Sequence, residues 1–272
     1  MMVYLYNILP GMFGILSGAA NSLKAEGKAT AYWIVLGLAI FLAAAVPYIF
    51  GSFNSAIIVS KYKYHQDIRN YGSGNAGLTN MYRVYGKSGA GLTLLGDIGK
   101  QIISVLFGII MLGQYGAYLA GGFCMIGHIL PVFYNFKGGK GVLTAATMIL
   151  LIDPMIFCVL IVVFILVLLI TRYVSLASIM AAFTYPAAVY YAEKIRTGNN
   201  PDMFQMLFAL FIGCVIIYMH RSNIYRIFNN QETKFSFRKK PETQEILDME
   251  DRENDEDNTY YPPARKKKKN KK

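Results

Sequence analysis

The sequence has few charged residues where its hydrophobic residues concentrate. Residues 31–60, 101–127, 154–171 and 173–192 contain no Asp, Glu, Lys or Arg. Crossing the apolar core of a bilayer takes about 20 mostly apolar residues, a length that a soluble core helix does not need. Together with a mean hydropathy of +0.36, these uncharged segments exclude a single soluble globular domain.

Residues that bind metals or form disulfides are also scarce. The chain has 3 Cys and 3 His, and their spacing matches no metal-ligand motif. Cys124, Cys158 and Cys214 lie in apolar segments, so we interpret them as small buried hydrophobic residues. We therefore expect neither a metal site nor a cofactor.

Seven apolar segments are predicted to span the membrane as helices. They cover residues 31–60, 88–112, 114–131, 141–152, 154–171, 173–191 and 203–220. The fourth is short, because Asp153-Pro154 ends it. The expected fold class is all-α, a polytopic membrane bundle of about seven transmembrane helices with a disordered charged C-terminal tail.

The two ends of the chain differ from the hydrophobic domain between residues 31 and 230. Residues 1–30 are interpreted as an N-terminal extension that is interfacial, re-entrant or an extra span. Residues 231–272 hold an acidic stretch and a basic run with too little apolar content to fold, which predicts a disordered cytoplasmic tail. The tail either stays solvated or touches anionic lipid, and no specific nucleic acid is expected.

The distribution of Lys and Arg between the predicted spans predicts the topology. If the first span runs from outside to inside, ten basic residues lie in inner segments and four in outer segments. The inner residues are Lys61, Lys63, Arg69, Arg83, Lys87, Lys137, Lys140, Arg172, Arg221 and Arg226. By the positive-inside rule, these loops and the C-terminus are expected in the cytoplasm.

A glycine-rich segment, YGSGNAGLTNMYR, follows the first predicted span. It holds Gly72, Ser73, Gly74, Asn75, Gly77, Thr79, Asn80 and Arg83. Glycines let backbone N–H groups approach an anion closely, and an arginine can bind a phosphate with two hydrogen bonds. The pattern is too dense for an ordinary turn and favours phosphate binding. The Lys87-Ser88 pair that follows does not complete a Walker A loop, because that motif needs a glycine six residues before the lysine and Met81 stands there.

A second candidate segment reads GHILPVFYNFKGGKG, from Gly127 to Gly141. Lys137 and Lys140 flank Gly138 and Gly139 just before a new helix, whose N-terminus adds positive potential. A loop that only orients the protein would explain the lysines but not the glycines. We therefore favour a second phosphate-binding loop.

Further polar residues lie at the inner ends of later spans. Ser175 and Ser178 are three residues apart, as are His220 and Asn223, so each pair shares a helix face. Asp97 and Lys100 form a third such pair inside a span, where charges are costly and usually pair. We interpret that pair as structural. The glycine-rich, lysine-rich and polar segments all fall on the predicted cytoplasmic side, which favours a single site.

These residues resemble the bacterial acyl-phosphate:glycerol-3-phosphate acyltransferase family, the PlsY type. The family segment GSGNxGxTNxxR is similar to Gly72–Arg83, and GHxxPxFxxFxGGKG is similar to Gly127–Gly141. The stretch from Tyr173 and the His220-x-x-Asn223 ending resemble its later motifs. Residues 1–30 and the tail lie outside the resemblance, and Gln101 replaces a usual glycine.

The resemblance implies acyl transfer from acyl phosphate to the 1-hydroxyl of glycerol 3-phosphate in the cell membrane, giving lysophosphatidic acid for phospholipid synthesis. It implies that Ser73, Lys140 and His220 are catalytic. It implies substrate binding by Gly72, Gly74, Asn75, Thr79, Asn80, Arg83, Lys87, Lys137, Gly138, Gly139, Ser175 and Asn223. The His-x-x-x-x-Asp pair of many other acyltransferases is absent, so we expect the acyl phosphate itself to accept the proton.

Two other classes remain open from the sequence. A transporter of phosphorylated metabolites could use the basic loops as a gate, although no internal repeat typical of transporters is present. A membrane scaffold could recruit partners through its tail, but this hypothesis does not explain the glycine-rich loops. The acyltransferase explains more of these residues than either.

Overall fold

A computed structural model describes residues 14–236, and within that range the chain forms α-helices and short 3-10 helices without a β-strand. The helices are α1 (Ile15–Ala25), α2 (Ala29–Ser52), α3 (Ser55–Tyr64), α4 (Leu78–Ile129), α5 (Val142–Ile152), α6 (Pro154–Thr171), α7 (Val174–Thr197), α8 (Met203–Met219) and α9 (Arg221–Phe228). The 3-10 turns are Ile68–Asn70 and Val132–Tyr134. The predicted all-α fold class is confirmed.

The long helix α4 is a hairpin of two antiparallel arms. Gly113 has a φ of 67° in its middle, a conformation that side chains with a Cβ rarely adopt. The arms meet closely enough that a Cβ on Gly108 would lie 2.0 Å from the Gly116 carbonyl oxygen. Gln101 Nε2 also donates to the Gly121 carbonyl oxygen at 3.1 Å across the arms. The break falls between the second and third predicted spans.

Four helical stretches are long and apolar enough to cross a membrane, namely Ala29–Tyr64, Leu78–Tyr134, Pro154–Thr171 and Val174–Thr197. A fifth is Met203–Met219 with Arg221–Phe228, if this pair bent by 54° counts as one span. The second stretch contributes two predicted spans, because it doubles back at Gly113. The remaining predicted span is α5, whose 11 residues rise only about 16 Å.

Helix ends are fixed by side chains that the sequence supplies at the breaks. Asn54 accepts from the Ile57 amide at 3.1 Å and begins α3. Asp153 accepts from the Met155 and Ile156 amides and begins α6, with Pro154 at its first position. These caps satisfy amides that a helix start leaves without partners.

The two ends of the chain are only partly described. Helix α1 packs on α2, and the Gly14 amide donates to the Ile109 carbonyl oxygen at 3.1 Å. Its 11 residues are too short to cross a hydrocarbon core of about 30 Å. Residues 231–236 lie beside α9 and the start of α7. The predicted disorder of residues 237–272 lies outside the described residues, as do residues 1–13.

The core lies between α4, α5, α7 and α8, with Met125, Met148, Tyr185 and Ile212 among its buried members. Cys124 is buried, whereas Cys158 and Cys214 are exposed on the apolar surface of the bundle. The expectation that all three cysteines are buried is therefore wrong for two of them, because α6 and α8 turn these positions outward.

Candidate active site

A cavity of about 750 Å³ opens at the end of the bundle that carries the glycine-rich and Lys140 loops. Ten of the fifteen predicted site residues line it, namely Gly72, Ser73, Asn75, Thr79, Asn80, Arg83, Lys140, Ser175, His220 and Asn223. They come from the loop before α4, from the first turns of α4 and α7, from the loop before α5 and from the α8–α9 junction. Segments up to 151 residues apart in the chain thus meet around one space.

Lys140 and Asn223 make direct contact in this cavity. Lys140 Nζ donates a hydrogen bond to Asn223 Oδ1. Asn223 is buried, and its Nδ2 donates to Glu232 Oε1 at 2.7 Å. The amide of Asn223 therefore holds the lysine on one side and a carboxylate on the other.

Glu232 is a site residue that the sequence reasoning missed, because it lay in the predicted tail. Its Oε1 also accepts from Ser175 Oγ at 2.6 Å, and its Oε2 accepts from Arg226 Nε at 2.8 Å. Burial raises the pKa of this carboxyl, but the hydrogen bonds from Ser175, Arg226 and Asn223 outweigh burial, and the net shift is downward. The Glu232 carboxylate therefore stays ionised and connects α7 to α9 through these hydrogen bonds.

The electrostatics of Lys140 differ from those of an exposed lysine. Burial lowers its pKa from 10.5 to about 8, and the positive charges of Arg226 and Arg83 act in the same direction against Glu232. A desolvated ammonium near two guanidinium groups and one carboxylate forms a site with a net positive charge. The cavity is therefore suited to an anionic ligand.

The glycine-rich loop is shaped by Asn80. Asn80 is 1% exposed, its Oδ1 accepts from the Ser73 amide at 2.8 Å, and its Nδ2 donates to the Tyr71 carbonyl oxygen at 3.0 Å. Gly72 has a φ of 58° and Gly74 one of 72°, which only glycine adopts readily. Asn80 thus supports the loop from behind and leaves Ser73 on the cavity side.

His220 is held in a defined orientation. Its Nδ1 lies 2.8 Å from the Ile216 carbonyl oxygen, and since a carbonyl can only accept, Nδ1 carries a hydrogen. In the neutral ring, Nε2 is then a hydrogen-bond acceptor. The residue is buried and lines the cavity.

Five predicted site residues do not line the cavity, namely Gly74, Lys87, Lys137, Gly138 and Gly139. The Gly138 and Gly139 amides donate to the carbonyl oxygens of Ile129 and His128 at 3.1 Å each, so they attach the loop to the end of α4. Lys87 follows a second break in α4 at Gly86 and is exposed, as is Lys137.

Asp97 and Lys100 form the ion pair that the sequence predicts. Lys100 Nζ lies 2.9 Å from Asp97 Oδ1 and donates to the Gly51 and Phe53 carbonyl oxygens at 3.1 Å. It also lies 3.1 Å from His128 Nδ1, which must accept because an ammonium only donates. The three side chains connect α2 to both arms of α4, and Asp97 and His128 also line the cavity. Among residues 14–236, no group of three or more His, Cys, Asp or Glu could hold a metal ion.

The other half of the cavity is apolar, and the sequence did not predict which residues line it. It is lined by side chains of α5, α6 and α7, namely Val142, Leu143, Ala145, Ala146, Ile149, Phe157, Leu160, Ile161, Phe164, Ala181, Ala182 and Tyr185. We call this part the apolar groove. It continues from the polar residues without a break, so one ligand with a charged head and a hydrocarbon chain fits both.

Comparisons with known proteins agree with this arrangement. A family model described as glycerol-3-phosphate acyltransferase matches residues 40–230. The chain is 39% identical to the glycerol-3-phosphate acyltransferase of Finegoldia magna over 203 residues, 75% of this chain and 96% of that protein. It is 40% identical to that of Syntrophotalea carbinolica over 210 residues, 76% of this chain and 98% of that protein.

Solved structures show the same fold. The crystal structure of PlsY (YgiH), an integral membrane glycerol 3-phosphate acyltransferase in its glycerol 3-phosphate form, superposes with a TM-score of 0.64 at 32% identity, covering 76% of this chain and 98% of that one. Its lysophosphatidic acid form gives a TM-score of 0.62 at 31% identity, covering 73% and 96%. The chain therefore belongs to the glycerol-3-phosphate acyltransferase family, of the PlsY type.

Proposed function

We propose that this protein moves a fatty acyl group from an acyl phosphate to the 1-hydroxyl of glycerol 3-phosphate, giving lysophosphatidic acid and inorganic phosphate. The observation that carries the proposal is that one cavity joins a cationic cluster to an apolar groove. Both substrates carry phosphate, and one also carries a hydrocarbon chain. The names of the relatives and the two ligand forms of the solved structures support the same acceptor and product.

The polar half of the cavity supplies the phosphate contacts. Arg83 is suited to bind the phosphate of glycerol 3-phosphate with two hydrogen bonds, next to His220 and Asn223. Lys140 and the Ser73 hydroxyl, which line the same cavity, are suited to the phosphate of the donor. Ser175 lies beside them through its contact with Glu232.

The reaction needs one bond exchange and one proton transfer. The 1-hydroxyl oxygen attacks the acyl carbonyl carbon, an ester bond forms, and the bond between that carbon and the phosphate oxygen breaks. The hydroxyl proton passes to the departing phosphate, whose oxygens are basic enough to take it. Lys140 stabilises the negative charge that develops during this exchange, and the fixed positions of both substrates lower the entropic barrier.

The carboxylates at the cavity are poorly suited to act as a general base. Glu232 accepts hydrogen bonds at both oxygens, and its pKa is lowered. Asp97 is paired with Lys100. A base must be free to reach the substrate hydroxyl, which supports proton transfer to the phosphate of the donor.

The membrane setting follows from the same geometry. The apolar groove takes the acyl chain from the bilayer. Lipid tails are as apolar as the groove, so this transfer gains little from the hydrophobic effect, and the groove serves to position the donor. The excess of Lys and Arg at the cavity end supports a cytoplasmic site in the plasma membrane.

An assay of the purified protein tests the proposal. Palmitoyl phosphate and glycerol 3-phosphate are expected to yield lysophosphatidic acid and inorganic phosphate in a one-to-one ratio, and Lys140→Ala is expected to abolish both. Product from an acyl thioester but not from acyl phosphate would keep the acyltransferase and overturn the donor. No product from either, with solute flux into liposomes, would favour a transporter of phosphorylated metabolites.

A further inference from the structure

Tyr185 lies at the end of the apolar groove that is farthest from the polar residues. It is 4% exposed and packed in the core between α4, α5 and α8. Ser175 lies at the polar end of the groove, ten residues earlier on the same helix, so the two are separated by about 15 Å along the axis. A hydrocarbon chain that starts at the polar residues therefore meets a large side chain after a defined length.

A second cavity of about 750 Å³ lies beyond this point, towards the Gly113 turn. Three helices change from one cavity to the other at one level. On α5, Ile149 lines the groove and Ile152 the second cavity; on α6 the corresponding pair is Phe157 and Ile156.

On α7 the change falls between Tyr185, which lines the groove, and Val189, which lines the second cavity one turn later. The wall between the two spaces is thus at most about one helical turn thick. Tyr185 is the bulkiest residue that α7 contributes to the groove side of this wall.

We propose that Tyr185 is a specificity-determining residue that ends the groove and sets the length of acyl chain that the enzyme prefers. This inference rests on the proposed function, since it assigns the groove to the acyl chain of the donor. Acyl carbons that fit between the polar residues and Tyr185 are buried, and additional carbons must bend or leave the groove.

The size of the effect follows from the transfer of hydrocarbon from a micelle into the groove. Each methylene that enters the groove leaves a micelle that is equally apolar, so it contributes through packing contacts and changes kcat/KM by less than the factor of about four that transfer from water would give. The wild type is expected to show rising kcat/KM along a series of acyl phosphates, followed by a break beyond which longer chains gain nothing. The position of that break reports the depth of the groove.

Two substitutions on one face of α7 change the depth in opposite directions. Tyr185→Ala removes the ring and opens the wall, so the break is expected to move to longer donors. Ala181 lines the groove one turn closer to the polar end, so Ala181→Leu is expected to move the break to shorter donors.

Matched controls separate groove depth from general damage. Phe183 lies on the same helix but is 70% exposed on the outer surface, so Phe183→Ala removes an aromatic ring without touching the groove. Tyr185→Phe keeps the ring and removes only the hydroxyl. Both are expected to leave the break where the wild type has it.

The experiment measures kcat/KM for lauroyl, myristoyl, palmitoyl and stearoyl phosphate, each at a fixed mole fraction in detergent micelles with saturating glycerol 3-phosphate. Opposite shifts for Tyr185→Ala and Ala181→Leu support the inference. An unmoved break, or shifts in one common direction, would overturn it. If Tyr185→Ala does not fold, Ala181→Leu decides alone. A wild type inactive with every donor would instead refute the proposed function.

Discussion

Lys140 donates a hydrogen bond to Asn223 Oδ1, which joins the loop before α5 to the first turn of α9 across 83 residues. The contact fixes the direction of the ammonium group, and Asn223 is in turn fixed by Glu232. The lysine is therefore oriented before any substrate binds, which is the condition for electrostatic stabilisation of a transition state.

This contact predicts that Lys140 and Asn223 act as a unit. Lys140→Met removes the charge, and Asn223→Ala removes its support, so each is expected to lower kcat by about 10²–10³, the range for loss of one oriented donor. The double variant is expected to be little worse than Lys140→Met, because residues that act together are not additive. Steady-state kinetics of the four proteins measures this; multiplied losses would show independent roles.

The lowered pKa of Lys140 predicts an alkaline limit to activity. The ammonium is charged below its pKa of about 8, so kcat/KM is expected to fall about tenfold per pH unit above that value. Lys140→Arg is expected to lose this limb, because a guanidinium stays charged. Between pH 8 and the ordinary lysine pKa the unfolded chain binds more protons, so this group makes stability rise with pH. Deprotonation of Lys140 therefore stabilises the folded protein, so unfolding driven by this group cannot cause the decline of kcat/KM.

Glu232 is predicted to position the site rather than to accept the proton. Glu232→Gln leaves Arg226 without its ion pair and disturbs the acceptor shared by Ser175 and Asn223, at a cost of about 1–3 kcal/mol. We expect a lower unfolding temperature in detergent and a higher KM for glycerol 3-phosphate.

The control for Glu232→Gln is Glu193→Gln. Glu193 pairs with Arg196 at the other end of α7, where an exposed pair contributes about 0–1 kcal/mol. A Glu232→Gln protein with unchanged KM and stability would contradict the assignment. A loss of kcat alone, steepest at low pH, would point to a general base instead.

The close approach of Gly108 and Gly116 predicts a stability effect far from the site. Gly108→Val places a branched side chain where even a Cβ would lie 2.0 Å from the Gly116 carbonyl oxygen, so the arms of α4 must separate. The folded yield is expected to fall sharply, as size-exclusion chromatography would show. Gly99→Val is the control, because a Cβ there meets no atom within 4 Å.

The sequence predicts which two loops reach the cavity, because their glycine, lysine and arginine pattern is recognisable from local residue types. Most of the segment from Gly72 to Arg83 lines the cavity, as does Lys140. The sequence could not distinguish a glycine that faces the cavity from a glycine that allows two segments to pack closely. A Cβ on Gly139 would lie 2.1 Å from His128 Nε2, and that contact depends on tertiary structure.

Glu232 and the lining of the apolar groove were missed for related reasons. Glu232 stands in a charged tail whose composition predicts disorder, yet its carboxylate meets three donors from α7 and α9. The groove is made by ordinary Leu, Ile, Ala and Phe residues of three helices, whose pattern matches that of any membrane span. Helix rotation and tilt decide which of them face inward, and these depend on packing against neighbours.

The sequence does not distinguish Arg83 from Lys87, since the resemblance assigns phosphate binding to both, but the structure does. Arg83 lines the cavity and contributes to the electrostatics of Lys140, whereas Lys87 is exposed beyond the Gly86 break. Arg83→Ala is expected to raise KM for glycerol 3-phosphate by at least about tenfold, since a charged hydrogen bond contributes about 1.5–3 kcal/mol. Lys87→Ala is expected to change KM by less than about threefold at moderate salt, because screening weakens an exposed charge. Equal losses in the two variants would mean that α4 straightens at Gly86 when substrate binds and brings Lys87 to the phosphate.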